Sequence, residues 1–434
     1  MKKLTTVLVA FIFFFTLTSC KKNTYESNYK FELFTDGIGF AINAEKKYGY
    51  INEDFEVVID FIYDDASAFY DGVALVELDD EFFLINTKGD KITESFDYLY
   101  YNAEIKRYFG SYNTDDPYDY MLDENGKLVC KYDEIHGFRS GKVILVQSSY
   151  DNFGYIDIEG NVLLSNCLYA ETFYGEYSSI CDSNNNVWTI DKNMNKLHNF
   201  GQTRIRMYGE YVVVNDSEVY DINGNKFDKE IYVPSSGTFA IRENYYYYGS
   251  SNSKTFCSLI SDTKIEKVEE YEEVGEYIII FKDQNLYLYN DKLELLDTIK
   301  IKEQFTSYST ETDYYRNNLY MKFRNTDSDE QIYYMFNYQK GKIERAKFLD
   351  KYDDIAGIYK DYICVIKETK DDYMYGLIKL NGKVVFRPLS EVQYIATDDG
   401  YIVNNYDCTV YNKNKKVIYQ NKDWYSICFN FPGY

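Results

Sequence analysis

One short pattern recurs along this chain and limits what the chain can fold into. An alternating apolar–polar run ends in Asp or Asn, and Gly follows three residues later, as in Asp157-Ile158-Glu159-Gly160. Units of this kind recur about every 36 residues, and we count about eleven of them, several degenerate. The recognisable turns lie near residues 52, 86, 123, 157, 191, 221, 290, 337, 381 and 412. Such a period is typical of repeat proteins, in which stacked units bury apolar faces that one hairpin cannot bury alone.

Each unit has the properties of a β-hairpin. Alternation places every second side chain on one face of a strand, and Gly supplies the positive φ of a tight turn. Where that Gly is missing, we expect Asn195 and Asn414 to adopt the left-handed conformation. A further unit without a clear turn glycine is predicted at residues 258–266.

The stretch at residues 48–76 is the fullest copy. It begins Tyr48-Gly49-Tyr50-Ile51-Asn52 and ends with a Phe-x-x-Gly-x-Ala segment that starts at Phe69. This pattern resembles WG repeats, a family of bacterial repeat proteins, and residues 153–164 and 375–385 match it well. Tyr48, Phe153 and Tyr375 stand where the family usually has Trp. The resemblance implies an all-β, propeller-like array and implies little about function.

The composition agrees with β structure, because the chain has 50 Tyr and 29 Phe but only 4 Pro, and aromatic residues favour strands. We predict an all-β fold of tandem hairpin or blade repeats. One or two β-propellers fit best, since eleven units exceed the usual four to eight blades. An open β-solenoid is the alternative. Residues 31–200 hold the N-terminal set of repeats and residues 201–434 a more degenerate C-terminal set.

The N-terminus predicts the compartment. Lys2 and Lys3 precede an apolar run that is too short to span a bilayer comfortably. Residues 1–19 are therefore interpreted as a signal peptide and residues 20–30 as a tether. Ser19-Cys20 resembles the lipobox of bacterial lipoproteins, which implies cleavage between these residues and a lipid on Cys20. We expect a protein of the bacterial cell envelope, anchored in a membrane and facing the extracytoplasmic side.

Charge and metal-ligand content exclude several functions. The net charge of −23 opposes nucleic-acid binding, and it argues against adhesion to an anionic bilayer beyond the lipid anchor. The two His residues and the scattered Cys residues form no metal-binding spacing. We therefore predict no metal and no cofactor. The cysteines are interpreted as small core residues, with a Cys167–Cys181 disulfide as the alternative.

Most polar motifs have a structural explanation. The acid pairs Asp64-Asp65, Asp133-Glu134, Glu272-Glu273 and Asp353-Asp354 recur, so we interpret them as turn residues rather than as a catalytic site. The Asp221 segment resembles a calcium loop only in part and is interpreted as a hairpin turn. We expect His136 and His198 at the surface or in turns, and Trp188 and Trp424 in the core.

The best candidates for binding are the four consecutive tyrosines Tyr245, Tyr246, Tyr247 and Tyr248. Adjacent residues of a strand point to opposite faces, so the run should expose some rings whichever face is buried. The alternative is a strand with one buried and one wet face.

We hypothesise a monomeric, non-enzymatic scaffold that binds a protein or a glycan. The alternative is a propeller-type hydrolase that acts on envelope polysaccharide through channel carboxylates. A third reading is a purely structural spacer in the envelope. An unlike, non-repeating group of charged residues at one end of the channel would favour the hydrolase.

Overall fold

The computed structural model describes residues 32–112, 118–136, 142–173, 175–234, 237–250, 253–305, 307–328, 330–370, 372–405, 408–422 and 424–429. These residues form 42 β-strands and two short 3₁₀ helices, Tyr338–Lys340 and Lys347–Leu349, and they contain no α-helix. The strands make eleven antiparallel sheets, each built from consecutive strands apart from one exception at the chain ends. Each sheet is therefore one repeat, here called a blade, and the all-β prediction is confirmed.

Blades 1 to 5 take up the first part of the chain. Their strands are, for blade 1, β1 (Ile38–Asn43), β2 (Tyr48–Asn52) and β3 (Val57–Tyr63); for blade 2, β4 (Asp65–Ala66), β5 (Val73–Leu78) and β6 (Glu81–Asn86); for blade 3, β7 (Tyr98–Asn102), β8 (Arg107–Ser111), β9 (Asp119–Leu122) and β10 (Leu128–Tyr132); for blade 4, β11 (Glu134–His136), β12 (Val143–Ser149), β13 (Asn152–Asp157) and β14 (Val162–Cys167); and for blade 5, β15 (Tyr169–Ala170), β16 (Tyr177–Cys181), β17 (Val187–Asp191) and β18 (Lys196–Asn199).

Blades 6 to 8 continue in the same order. Their strands are, for blade 6, β19 (Ile205–Tyr208), β20 (Tyr211–Val214) and β21 (Glu218–Asp221); for blade 7, β22 (Thr238–Ile241), β23 (Tyr245–Ser250), β24 (Ser253–Ser258) and β25 (Lys264–Val268); and for blade 8, β26 (Glu270–Val274), β27 (Tyr277–Lys282), β28 (Asn285–Asn290) and β29 (Leu295–Lys300).

Blades 9 to 11 complete the ring. Their strands are, for blade 9, β30 (Ser307–Asp313), β31 (Asn318–Arg324), β32 (Gln331–Asn337) and β33 (Lys342–Arg345); for blade 10, β34 (Asp354–Ile358), β35 (Tyr362–Glu368), β36 (Tyr373–Lys379) and β37 (Val384–Ser390); and for blade 11, β38 (Tyr394–Ala396), β39 (Tyr401–Asn404), β40 (Thr409–Asn412) and β41 (Val417–Gln420). The last strand, β42 (Trp424–Ile427), belongs to blade 1.

The strand order defines an inside and an outside of each blade. The first strands of neighbouring blades approach one another, as β30 and β34 do. The fourth strands are the most exposed, as in β14, β29 and β41. First strands therefore form the inner wall of a propeller, and fourth strands its outer edge.

The two ends of the chain meet in blade 1. β42 pairs antiparallel with β1, with Ala41 opposite Ile427, and it takes the first-strand position of that sheet. Closure of this kind joins the last repeat to the first and leaves no open end.

Packing between blades also contributes to closure of the ring. Each of the eleven junctions between neighbouring blades encloses its own cluster of buried apolar side chains. At the junction of blades 11 and 1, Leu33 and Ile51 pack with Val403 and Val410. The protein is a single eleven-bladed propeller. It is neither two consecutive propellers nor an open solenoid, and every junction lies within residues 32–429.

The division of the repeats at residue 200 stays a prediction. The cluster between blades 5 and 6 contains Ile205 and Val212 and packs against Phe200, so it spans the position where the two sets meet.

The recurrent turn joins the third and fourth strands. In blade 4, Asp157 Oδ1 accepts the N–H groups of Glu159 at 3.0 Å and Asn161 at 2.8 Å, and Gly160 has φ +82°. The side chain thus satisfies turn donors that the ladder leaves unpaired.

The structure corrects the prediction for turns without Gly. Met194 and Lys415, rather than Asn195 and Asn414, have positive φ. The left-handed position falls three residues after the Asp or Asn that accepts the turn hydrogen bonds, and both asparagines lie off that position. The predicted unit at residues 258–266 is confirmed as the β24–β25 hairpin of blade 7, where Ser258 Oγ accepts the N–H groups of Ile260 and Ser261.

Antiparallel order gives the propeller two different faces. Among the described residues, first-to-second and third-to-fourth turns lie on one face, here called the lower face. The second-to-third turns and the connections between blades lie on the opposite, upper face. The described chain enters blade 1 on the lower face, because the N–H groups of Leu33 and Phe34 donate to Asp399 Oδ2 at 3.0 and 3.3 Å, and Asp399 lies in the first-to-second turn of blade 11.

This carboxylate supports closure of the ring. We expect Asp399→Ala to lower the free energy of unfolding by about 1–3 kcal/mol, because it leaves two donors near buried Leu33 and Phe34 without their acceptor. The measurement is urea denaturation followed by tyrosine fluorescence. The control is Asp361→Ala, an exposed aspartate in the equivalent turn of blade 10. Equal effects of the two substitutions would contradict a role of Asp399 in closure.

Candidate functional site on the inner strands

The motif residues that recur are used in packing between blades. Tyr48, at the position of the family's Trp, packs against the buried cluster between blades 1 and 2, and burial and then the charge of Asp65 at the start of the next blade's first strand raise its pKa. Phe153 occupies the same position in blade 4 and packs edge-on against Tyr169 of blade 5, with ring centroids 5.8 Å apart. The signature aromatic is therefore a wedge between consecutive blades, so a ligand site must be sought among residues that do not repeat.

In two of the acid pairs the first acid lies in a connection between blades, as predicted, whereas the second, Asp65 or Asp354, begins a first strand. Asp64 Oδ2 accepts the N–H of Asp79 at 3.0 Å, and Asp353 Oδ2 accepts the N–H of Glu368 at 2.7 Å. In both blades this hydrogen bond links the connection that precedes the blade to the end of its second strand.

The interpretation as turn residues is wrong for Glu272 and Glu273. Both lie within β26, the first strand of blade 8. They differ in environment because neighbouring residues of a strand point to opposite faces. Glu273 faces blade 7, whereas Glu272 faces blade 9, where Thr310 Oγ1 donates to its Oε1 at 2.9 Å.

The tyrosine run is mostly buried, so the expectation of exposed rings does not hold. Tyr245, Tyr246 and Tyr247 are 5%, 5% and 4% exposed, and Tyr248 is half-buried. These residues form β23, the second strand of blade 7, which is covered by blade 8 on one face and by blade 6 on the other. A strand enclosed on both faces buries consecutive aromatic residues.

Part of that run supports a polar network between blades 7 and 8. The guanidinium of Arg242 makes two bonds to the Glu273 carboxylate, at 2.9 and 3.2 Å, and Tyr245 donates its hydroxyl to the same carboxylate. Tyr271 donates to the hydroxyl of Tyr247 at 3.0 Å. Burial lowers the pKa of Arg242, but Glu273 more than offsets this effect and the pKa is raised overall. The paired charges fix the register of the two blades.

A different arrangement lies on the inner strands of blades 8 to 10. Glu272 of β26, Glu311 of β30 and Asp354 of β34 are half-buried side chains on three consecutive first strands. We call these three residues the carboxylate arc. Lys322 Nζ donates to Asp354 Oδ2 at 2.5 Å and is the one cation of the described residues that pairs with the arc.

The environment of Glu311 and Glu272 favours their neutral forms. Burial and then the charge of Asp354 raise the pKa of Glu311 to about 7. Burial also raises the pKa of Glu272, against the effect of the Thr310 hydrogen bond. Glu311 therefore changes charge near neutral pH, which is typical of functional sites but also occurs in structural networks.

A buried hydroxyl lies beside the arc. Tyr333 is 1% exposed, and its hydroxyl has no hydrogen-bond partner among the described residues. Burial and then Asp354 raise its pKa. Register places Tyr333 opposite Lys322, so both side chains lie on the face of blade 9 that packs against blade 10. The arc thus combines hydrogen-bond donors and acceptors with one proton that moves near neutral pH.

Sequence reasoning missed Glu311, Arg242 and Tyr333. A usable signal existed for Glu311, because an acid that lies inside a first strand and outside the recurring acid pairs departs from the repeat pattern. That signal appears only once the strands are aligned blade by blade.

The other candidates have structural roles. The Asp221 segment is the predicted hairpin turn, with Asp221 Oδ1 accepting the N–H groups of Asn223 and Asn225. No group of His, Cys, Asp or Glu in the described residues is arranged to hold a metal ion. Seven cysteines among them are free thiols, including Cys167 and Cys181, so the alternative disulfide is not formed.

The histidine and tryptophan positions differ from expectation. His136 and His198 are half-buried strand residues rather than turn residues. Trp188 and Trp424 are also half-buried, at the edges of their clusters. Ser19 and Cys20 lie outside the described residues. Within the described part of the chain, no helix has the length and apolarity needed to cross a membrane.

Comparison with known proteins supports the repeat assignment. The family model of the WG containing repeat matches residues 48–82, which include the stretch that carried the resemblance. No curated protein matches the chain.

Solved structures give only distant likenesses. A eukaryotic initiation factor structure is 10% identical with a TM-score of 0.37, covering 72% of this chain and 94% of its own. BamB from Moraxella catarrhalis is 11% identical with a TM-score of 0.28, covering 62% and 93%. AztD from Citrobacter koseri is 12% identical with a TM-score of 0.26, covering 63% and 94%. At these scores the likenesses carry no weight, and the fold rests on the strand pairing itself.

The raised pKa of Glu311 predicts a pH-dependent stability. An unfolded Glu ionises near its ordinary pKa of 4.5, whereas folded Glu311 ionises at about 7. The contribution of Glu311 therefore lowers the free energy of unfolding progressively as pH rises from about 4.5, and this loss is complete above about pH 7. We expect Glu311→Gln to be more stable than wild type at pH 8 and to lose most of that advantage at pH 5.

Urea denaturation at both pH values measures this difference. Glu303→Gln, at an exposed position in the connection between blades 8 and 9, is the control and should show no such difference. An effect of Glu311→Gln on stability that is the same at both pH values would contradict the raised pKa of Glu311.

Proposed function

We propose that the protein is a lipid-anchored, extracytoplasmic WG-repeat scaffold that binds a protein or a glycan without catalysing a reaction. The observation that carries this proposal is the location of the carboxylate arc. The residues that the blades share are used in packing between blades. The arc, in contrast, adds Glu311, which has no counterpart in the recurring acid pairs, to Glu272 and Asp354 on neighbouring inner strands, and inner strands line the centre of a propeller.

The chemistry of the arc suits a ligand rich in hydroxyl, amide or amine groups. Carboxylates accept hydrogen bonds from such donors, and a protonated Glu311 can also donate one. Half-buried carboxylates favour polar donors over apolar surface. Sugar hydroxyls and the amides and amines of a peptide share this character, so protein and glycan remain the two ligand classes.

Attachment to a membrane is supported by the N-terminal sequence. The apolar run is followed by Ser19-Cys20, as in bacterial lipoproteins, and acylation together with a second signal gives stable anchoring. The first described residue, Glu32, lies at the lower face of the propeller.

One observation favours the second candidate, a hydrolase that acts on envelope polysaccharide. Glu311 and Asp354 are neighbouring carboxyl groups, and Glu311 has a pKa raised to about 7. Glycosidases use a pair of carboxyl groups, one of which has a raised pKa and acts as the general acid. The two functions differ in one outcome, because only the hydrolase releases product.

Membrane anchoring is tested by Cys20→Ala. We expect this variant to lose the lipid and to move from the membrane fraction to the soluble extracytoplasmic fraction, since the described domain presents no spanning helix. Metabolic labelling with a radioactive fatty acid should mark wild type and not the variant. Fatty-acid labelling of the Cys20→Ala chain would contradict lipid attachment at this residue.

Binding by the arc is tested with a combined Glu272→Gln, Glu311→Gln and Asp354→Asn variant. An array first identifies a glycan or envelope peptide that the wild-type protein binds. We expect the affinity of the triple variant for that ligand to be at least tenfold lower, because each lost charge-assisted hydrogen bond is worth about 1.5–3 kcal/mol. A matched control replaces Glu53, Asp54 and Glu56, which are exposed in the blade 1 turn.

Three outcomes separate the hypotheses. Loss of binding in the arc variant alone supports the scaffold. Release of sugar product by wild type and not by Glu311→Gln supports the hydrolase. Equal binding by the arc variant and the control contradicts a ligand site at the arc.

A further inference from the structure

The third-to-fourth turns of blades 10 and 11 differ in charge from those of the other blades. They carry exposed lysines, and residues 379–388 and 411–422 contain no Asp or Glu. The equivalent turn of blade 1 instead contains Glu53, Asp54 and Glu56. The exposed lysines of these two turns, here called the basic patch, are Lys379, Lys383, Lys413, Lys415 and Lys416. The chain as a whole has a net charge of −23, so this group of lysines is a locally positive region on an acidic protein.

The two turns form one continuous surface. Lys415 of blade 11 donates to the backbone oxygen of Val385 in blade 10 at 3.1 Å. The rings of Phe386 and Tyr411 join the same two blades, with centroids 4.9 Å apart. This packing holds the lysines of both blades on the lower face at the outer edge.

Apolar side chains are exposed directly beside the lysines. Val384 follows Lys383 and is 38% exposed, and Val417 and Ile418 follow Lys416 and are 48% and 42% exposed. Lysine ammonium groups next to apolar side chains suit the boundary between lipid headgroups and acyl chains. There the ammonium groups can pair with lipid phosphates while the apolar side chains are removed from water.

The patch lies next to the point where the N-terminal segment joins the propeller. Leu33 is fastened to Asp399 of blade 11, and Phe55 of blade 1 stacks on Tyr419 of β41 with ring centroids 4.3 Å apart. The chain from Cys20 to Glu32, fully extended, reaches about 40 Å. A lipid on Cys20 would therefore keep the lower face near blades 10 and 11 within reach of the bilayer.

We infer that the basic patch docks onto anionic lipid headgroups and provides a second, electrostatic attachment beside the lipid on Cys20. This inference rests on the proposed envelope location. It reverses the expectation from net charge, because electrolyte screens charges beyond about 8 Å at physiological ionic strength. The lysines of the patch then act on the headgroups that they touch, while acids farther from the headgroups than this distance are screened.

Acids border the surface on two sides, because the exposed Glu53, Asp54 and Glu56 of the blade 1 turn lie toward blade 11 and further acids lie on the inner side. A cavity of about 130 Å³ between blades 10 and 11 has Lys360 and Lys413 in its wall, together with Asp361 and Asp398. Asp399 accepts the N–H groups of Leu33 and Phe34. The cationic surface therefore faces outward from the third-to-fourth turns, rather than into the cavity.

The test uses a chain that begins at Lys21, which cannot be lipidated on Cys20 and which keeps every strand and all junction clusters of the ring. We expect it to sediment with vesicles that contain phosphatidylglycerol and not with pure phosphatidylcholine vesicles, and added salt should release it. Lys383→Gln, Lys413→Gln and Lys416→Gln together should lower the partition coefficient about a hundredfold, at roughly fivefold for each lysine.

The matched control replaces Lys88, Lys127 and Lys292, which are exposed in the equivalent turns of blades 2, 3 and 8. It changes net charge equally and should bind like wild type, and thermal unfolding of both variants verifies the fold. Absence of wild-type binding to phosphatidylglycerol, or equal loss in patch and control variants, would overturn the inference. Because the chain carries no lipid, this result is independent of the Cys20→Ala fractionation.

Discussion

The pairing of β42 with β1 is the interaction on which the rest of the structure depends. It places the two ends of the described chain in one sheet, so the eleven blades share a common centre. Without it, blades 11 and 1 would expose the cluster that contains Leu33, Ile51 and Val403, and burial of apolar surface is the main stabilising term in folding. Asp399 supports the same junction from the lower face.

Repetition explains why one chain can build so large a ring. Every junction has a buried cluster, and many blades share two further elements: a wedge aromatic such as Tyr48 or Phe153, and a turn in which Asp or Asn accepts two N–H groups. These elements are local, and their chemistry is visible in the sequence. The hairpins, the all-β class, the count of about eleven units and the weak unit at residues 258–266 could therefore be predicted.

Other features depend on contacts that are distant in sequence, so sequence alone could not predict them. Ring closure requires the summed rotation of all the blades to bring residue 427 to residue 41. The burial of Tyr245 to Tyr247 requires neighbours on both faces of β23. Glu272 looked like another copy of a turn pair until strand pairing placed it inside β26. The arc and the basic patch thus arise where blades differ, on a scaffold built from what they share.

An image of the single chain viewed down the ring axis tests the central claim most directly. Single-particle electron microscopy of the chain that begins at Lys21 supplies this view. The account predicts one closed ring of eleven blades around a central channel, with the C-terminal strand completing the first blade. An open arc, or two smaller rings joined by a linker, would contradict it.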